Sequence, residues 1–109
     1  YKRQVYENIM TYAKRVDVNQ KEIVKTLREF GASVVDLSKV GHGVPDLLVG
    51  YLGLTVLVEV KSSEKAKFTD DQLEFMKRWY GGALVRINDV EGAINLINLI
   101  NAETDTDEQ

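Results

Sequence analysis

Residues 41–65 read GHGVPDLLVGYLGLTVLVEVKSSEK. Two runs rich in Val and Leu, DLLVGY and LTVLVEVK, are separated by Leu52-Gly53, which reads as the two-residue loop of a β-hairpin. A buried strand pair should carry few charges, yet Asp46, Glu59 and Lys61 interrupt the apolar pattern. With Leu52-Gly53 as the loop, Asp46 falls directly across from Glu59 on the neighbouring strand. Facing residues point to the same side of a sheet, with Cβ atoms roughly 4.5–5.5 Å apart. Lys61 lies two residues beyond Glu59 and shares that side.

Two carboxylates at this spacing repel, and each also loses hydration. A cation between them relieves the repulsion. Hard divalent ions take carboxylate and carbonyl oxygen, with water completing the shell. The candidate metal ligands are therefore Asp46, Glu59 and the main-chain carbonyl of Val60. A metal held there would acidify a bound water and polarise a phosphate. Lys61 would orient or deprotonate that water, or steady the charge of a pentavalent state. Singly, each charge has a plainer reading: a turn residue at a strand start for Asp46, a surface ion pair for Glu59 and Lys61. Three charges on one side of an apolar hairpin favour a site.

The flanking sequence supplies the remaining elements. Val5, Ile9, Tyr12 and Ala13 have helical spacing over residues 2–15. Residues 19–32, NQKEIVKTLREFGA, read as a helix with Asn19 as cap, Glu22 at the capping-box position, and Ile23, Val24, Leu27 and Phe30 as the buried stripe; Gly31 ends it. SVVDL is a short strand. TDDQLEFMKRWYGG is a helix capped by Thr69, with acids first, bases last and glycine after. ALVRI is a further strand, and DVEGAINLINLI a closing amphipathic helix. The order α-α-β-β-β-α-β-α predicts an α/β domain: a mixed sheet of about four strands flanked by helices. One domain is expected over residues 1–101, followed by an acidic, disordered tail at 102–109.

Bulk properties bound the reading. The chain has 109 residues, 44% of them hydrophobic, enough for one core; its small size for an enzyme favours a homodimer. No cysteine is present, which removes thiolate metal sites and thiol nucleophiles and suits a reducing cytoplasm. No apolar run reaches the roughly 18 residues of a membrane span, and no signal peptide is expected. The net charge is −3, but residues 1–86 hold all 14 Lys and Arg against 11 of the 17 acids, so the body is mildly basic and permits a phosphate-binding surface.

VPDLLVG followed by LVEVK resembles the PD-(D/E)xK nuclease signature, here Pro45-Asp46 and then Glu59-Val60-Lys61. Over about residues 16–95, with the upstream helix and the downstream Thr-x-x-Gln helix, the chain resembles the VRR-NUC branch of that superfamily. The likeness is to its small stand-alone phage and bacterial members, which are similar to archaeal Holliday-junction resolvases. The resemblance implies a restriction-endonuclease-like core and metal-dependent DNA endonuclease activity, with Mg²⁺ or Mn²⁺ held by Asp46 and Glu59. It also implies branched DNA as substrate, cut by a homodimer in the cytoplasm of a bacterial or phage-infected cell.

In families of this fold the first core helix often sends an acid to the metal. Here Gln20 lies on the buried stripe, whereas Glu22 is about 200° away on the wet side, so Gln20 is placed toward the site. The archaeal resolvases carry Glu at this position, which leaves open whether this helix ligates a metal or holds one of its waters. Gln72 is either the capping-box residue of Thr69-Asp70-Asp71-Gln72 or the motif glutamine at the site. Lys39, His42, Lys65 and Lys67 are candidate DNA-phosphate contacts, each with ordinary solvated residues as the plain reading. Trp79 and Tyr80 read as packing or a dimer seam in preference to base stacking. Two rivals remain: a catalytically silent DNA-binding module of the same fold, and a protein in which the three charges are a structural cluster.

Overall fold

A computed structural model describes residues 19–63 and 65–107. The expected helix at 2–15 lies outside the described residues. The elements are a helix over residues 19–29 (α1), strands Ser33–Asp36 (β1), Leu47–Tyr51 (β2) and Leu54–Val60 (β3), helix Asp70–Arg78 (α2), strand Leu84–Ile87 (β4) and helix Val90–Asp107 (α3). The strands form one sheet in the order β1-β2-β3-β4. β1–β2 and β2–β3 are antiparallel, and β3–β4 is parallel, as the β3-α2-β4 crossover requires. This is the expected mixed four-stranded α/β arrangement.

The hairpin register is the one read from the sequence: Leu47 faces Val58 and Tyr51 faces Leu54. Leu52 (φ 49°) and Gly53 (φ 81°) both take positive φ, the backbone of a type I′ loop. Parity then sorts the sheet. Val34, Leu47, Val49, Val56, Val58, Val60 and Ile87 project to one face and form the core with Ile23 and Leu27 of α1 and Ala93, Leu96, Ile97 and Ile100 of α3. The opposite face carries Leu48, Leu57 and Glu59 and lies under α2, which has no fully buried residue of its own.

Three local expectations change. Asn19 is already helical and so is not the cap of α1; its amide instead donates to the carbonyls of Asn88 and Lys61, tying α1 to the ends of β3 and β4. Phe30 lies beyond the last helical turn and is 46% exposed, not part of the buried stripe. The closing helix does not stop at residue 101. It runs through Asp107 into the stretch expected to be a disordered tail. Tyr51 donates to Asn101 Oδ1 at 3.0 Å, which anchors the helix to the sheet where the acidic residues begin; Thr104 Oγ1 bonds back to the carbonyls of Ile100 and Asn101.

Leu52 is 53% exposed and holds a left-handed conformation that disfavours a branched side chain. Replacing it by Asn, the preferred residue of a type I′ loop, should raise stability by about 1 kcal/mol. A shift of the urea midpoint to higher concentration with unchanged slope is the expected result.

Candidate active site

Asp46 directly precedes β2. Its carbonyl accepts the amide of Leu37 at 2.7 Å, which fixes it beside the end of β1. Its Oδ2 accepts the amide of Val60 at 2.8 Å, so the carboxylate is turned onto the end of β3, between Glu59 and Lys61 in the chain. The buried ring of Pro45 sets the approach to the strand.

Glu59 and Lys61 are 4% and 1% exposed, unusual for ionisable side chains. Gln72, reaching down from α2, joins them. Its Nε2 donates to Glu59 Oε1 at 2.8 Å, and its Oε1 accepts from Lys61 Nζ at 2.6 Å. Lys61 Nζ lies 3.9 Å from the same Glu59 oxygen. Gln72 Oε1 also accepts the amide of Thr69 at 2.9 Å, while Thr69 Oγ1 accepts the amide of Gln72 at 3.2 Å. The two readings of Gln72 are therefore one arrangement. The capping box orients the side-chain amide, and the oriented amide couples the carboxylate to the ammonium. Its orientation has only one sense, because a flipped NH₂ would face the Lys61 ammonium.

Burial, and then the neighbouring Asp46 carboxylate, push the Glu59 carboxyl up to about 8; the Lys61 ammonium opposes the rise. Burial likewise pulls the Lys61 ammonium below its ordinary value, against the attraction of Glu59 and Asp46. The folded, metal-free protein thus keeps a proton on Glu59 that the unfolded chain releases above its ordinary carboxyl value of 4.5. The stability this proton contributes is complete below the unfolded value and is lost as pH rises toward the folded one. With chelator present, stability should fall between about pH 5 and pH 8 by up to about 1.4 kcal/mol per unit from this group alone. Glu59→Gln should flatten that dependence in denaturant titrations run across the range.

The charge of Asp46 opposes ionisation of Glu59, a repulsion a divalent cation would relieve. Among the described residues no cluster of three or more His, Cys, Asp or Glu is positioned to hold a metal. Two carboxylates, a main-chain carbonyl such as that of Val60, waters and substrate oxygens make a donor set that suits Mg²⁺, which binds through one or two carboxylates and keeps much of its water. The residues present therefore fit such an ion.

The other candidates are placed as follows. Gln20 is buried, but its amide donates to Asp36 Oδ2 at 3.3 Å. Asp36 pairs with Leu47, on the α1–α3 side of the sheet. Gln20 is thus held by Asp36 at the end of β1, while its neighbour Asn19 donates to the Lys61 carbonyl. Glu22 is exposed. Lys39, Lys65 and Lys67 are exposed, Lys39 in the turn after β1 and the other two between Lys61 and α2. His42 is exposed at φ 57°, in a loop held against α2, and outside the charged cluster. Gly43, at φ 79°, approaches the carbonyl of Asp71 so closely that an added Cβ would collide with it.

Arg86 was not singled out by the sequence, although a charge within the strand ALVRI was the signal. It is the register partner of Glu59 on β4. It donates to Asn88 Oδ1 at 3.0 Å and to the carbonyl of Ser63. Its guanidinium carbon lies 5.5 Å from the centre of the Phe68 ring, and Lys61 Nζ lies 5.3 Å from the same ring. Asp36 was also missed. Hydrogen bonds from the Ser38 hydroxyl and amide, and then the amide of Gln20 and the charge of Lys39, hold its carboxyl below the ordinary value.

A mixed sheet whose central hairpin ends in a half-buried Asp beside a buried Glu and Lys, braced by a glutamine from the crossover helix, gives an α/β domain with a built polar site. A solved structure described as a VRR_NUC domain matches with a TM-score of 0.65 and 30% identity, over 77% of this chain and 95% of that one. The chain belongs to the VRR-NUC family. No protein-family model and no curated protein matches it. Among the described residues, no helix is long and apolar enough to cross a membrane.

Proposed function

We propose that this protein is a metal-dependent DNA endonuclease that hydrolyses phosphodiester bonds through Asp46, Glu59, Lys61 and Gln72. The observation that carries the reading is the bridge by which Gln72 holds a buried carboxylate and a buried ammonium 3.9 Å apart beside a second carboxylate. Burying such a set costs desolvation that a bound cation would offset. Asp46 and Glu59, with the Val60 carbonyl, would hold Mg²⁺ or Mn²⁺. When bound, the ion supplies Lewis-acid polarisation of the phosphate and an acidified water. Gln72 keeps Lys61 from folding onto Glu59 and aims the ammonium at the oxygen that gains charge. Lys39, Lys65 and Lys67, exposed on the turn after β1 and on the segment after Lys61, are available to phosphates along the strand; such contacts position without reading sequence. Branched DNA as the preferred substrate, and a homodimer placing two sites on two strands, complete the reading on the strength of the family resemblance. Arg86 braces the Ser63 carbonyl and so fixes the segment that follows Lys61.

The test is cleavage of end-labelled four-way junction, flap, single-stranded and linear duplex DNA with Mg²⁺, Mn²⁺ or EDTA. Paired nicks in the junction, absent with EDTA, are expected. Lys61→Ala should reduce the rate by at least about a hundredfold, and Asp46→Ala should leave only background. Thermal melts of each variant separate lost chemistry from lost fold. DNA binding with no cutting by the intact protein would instead support a silent binding module.

A second prediction concerns the ion. If Glu59 holds a proton in the metal-free protein, loading with Mn²⁺ near neutral pH should release about one proton per ion. Calorimetry in buffers of different ionisation heat reads this directly, and Glu59→Gln should abolish the release.

A further inference from the structure

Beside the charged cluster, on the same helix as Gln72, a cleft of about 410 Å³ is lined by His42, Asp71, Glu74, Phe75, Arg78 and Trp79. Its size falls within the ordinary range of ligand pockets. One side is aromatic: the rings of Phe75 and Trp79 are stacked on each other, 18° between planes, with centroids 5.6 Å apart. Trp79 is 41% exposed, so this is neither core packing nor a covered seam within the chain.

Several parts of the cleft are held in place. The indole N–H donates to the carbonyl of Gly82 at 2.9 Å, and Gly81 backs the ring so closely that a Cβ there would collide with it. Glu74 fixes the Arg78 guanidinium at the rim through a 2.8 Å ion pair. Gly43 seats the His42 loop on the first turn of α2, where any side chain at position 43 would strike the Asp71 carbonyl. Such a surface is ordered before anything binds, which lowers the entropic cost of binding.

The chemistry of the lining narrows the occupant. Arg78 is already paired with Glu74, and Asp71 adds a further negative charge, so the cleft does not favour a phosphate. A stacked aromatic pair with polar groups around it suits a neutral planar heterocycle that extends the stack. Phe75 lies one turn from Gln72, about 4.5 Å along the helix axis, and Trp79 about 10 Å. The aromatic pair therefore stands on the helix that carries Gln72, within a few turns of it.

We infer that the His42–Phe75–Trp79 cleft receives an unpaired nucleobase of the substrate strand, stacked on the aromatic pair. The inference rests on the DNA nuclease reading and deepens it. A base inside a duplex has both faces covered, so the occupant comes from a junction, a flap or a single strand. Stacking of this kind accepts any base.

Trp79 is the chain's single tryptophan, so its fluorescence, excited at the red edge of the indole band, reports this cleft alone. The full chain carrying Lys61→Ala is titrated in EDTA with single strands of roughly eight nucleotides, an ordinary site size. A duplex of equal length and an abasic strand with the same phosphates serve as controls, and anisotropy of a labelled strand follows binding independently. Quenching by the single strand, absent with the abasic strand, is expected. Phe75→Leu, which keeps apolar bulk but removes the ring, and the loop variant His42→Ala should weaken binding of the normal strand and not that of the abasic one; for Phe75→Leu the loss should be about five- to a hundredfold. Equal quenching by the abasic strand would overturn the proposal in favour of backbone contact. Binding without any change in tryptophan emission would overturn it while leaving the nuclease reading intact. Absence of binding in anisotropy would count against both. A concentration-dependent blue shift without DNA, with sedimentation as a dimer, would assign the cleft to a second copy of the chain.

Discussion

The structure turns on one side-chain amide. Gln72 accepts from the Lys61 ammonium and donates to the Glu59 carboxylate while closing the capping box that starts α2. Without it, two buried ionisable side chains would stand partly unsatisfied, which is costly in a poorly hydrated setting. α2 buries no residue fully, so these polar bonds, together with the close seating of Gly43 on Asp71, are much of what locates it over the sheet. The helix and the charged cluster therefore depend on each other. The helix orients the amide, and the cluster gives the helix its position.

The sheet divides labour by parity. The face built from Val34, Leu47, Val49, Val56, Val58, Val60 and Ile87 is closed by α1 and α3 and supplies the hydrophobic stability. That burial lets the other face carry Asp46, Glu59, Lys61 and Arg86, which work against stability when no ligand is present. The raised carboxyl of Glu59 and the depressed ammonium of Lys61 are two signs of one cause: ionisable groups held out of water. Phe68, with cations near its ring from both β3 and β4, shields the same pocket.

Much of this was legible in the chain. The two-residue loop at Leu52-Gly53 fixes the register of β2 on β3, because strand side chains alternate with a period of two; Asp46, Glu59 and Lys61 then share a face without further information. The capping box at Thr69–Gln72 is equally local. Helix periodicity identified Ile23, Leu27, Ile97 and Ile100 as core, but it misjudged Phe30, which falls past the end of α1. It also set α3 too short, because an acidic composition says nothing of the bond between Tyr51 and Asn101.

Sequence by itself determined the hairpin, its register, the charged triad and the cap of α2, since each depends on residues near in the chain or on strand parity. Tertiary structure decided which face each helix covers. It set Gln20 beside Asp36, because α1 packs on the hydrophobic face. It brought Arg86 opposite Glu59 through a parallel pairing that no local spacing encodes. It also made the capping glutamine the bridge of the site, because only the crossover from β3 to β4 carries α2 over the end of the hairpin where Glu59 and Lys61 wait.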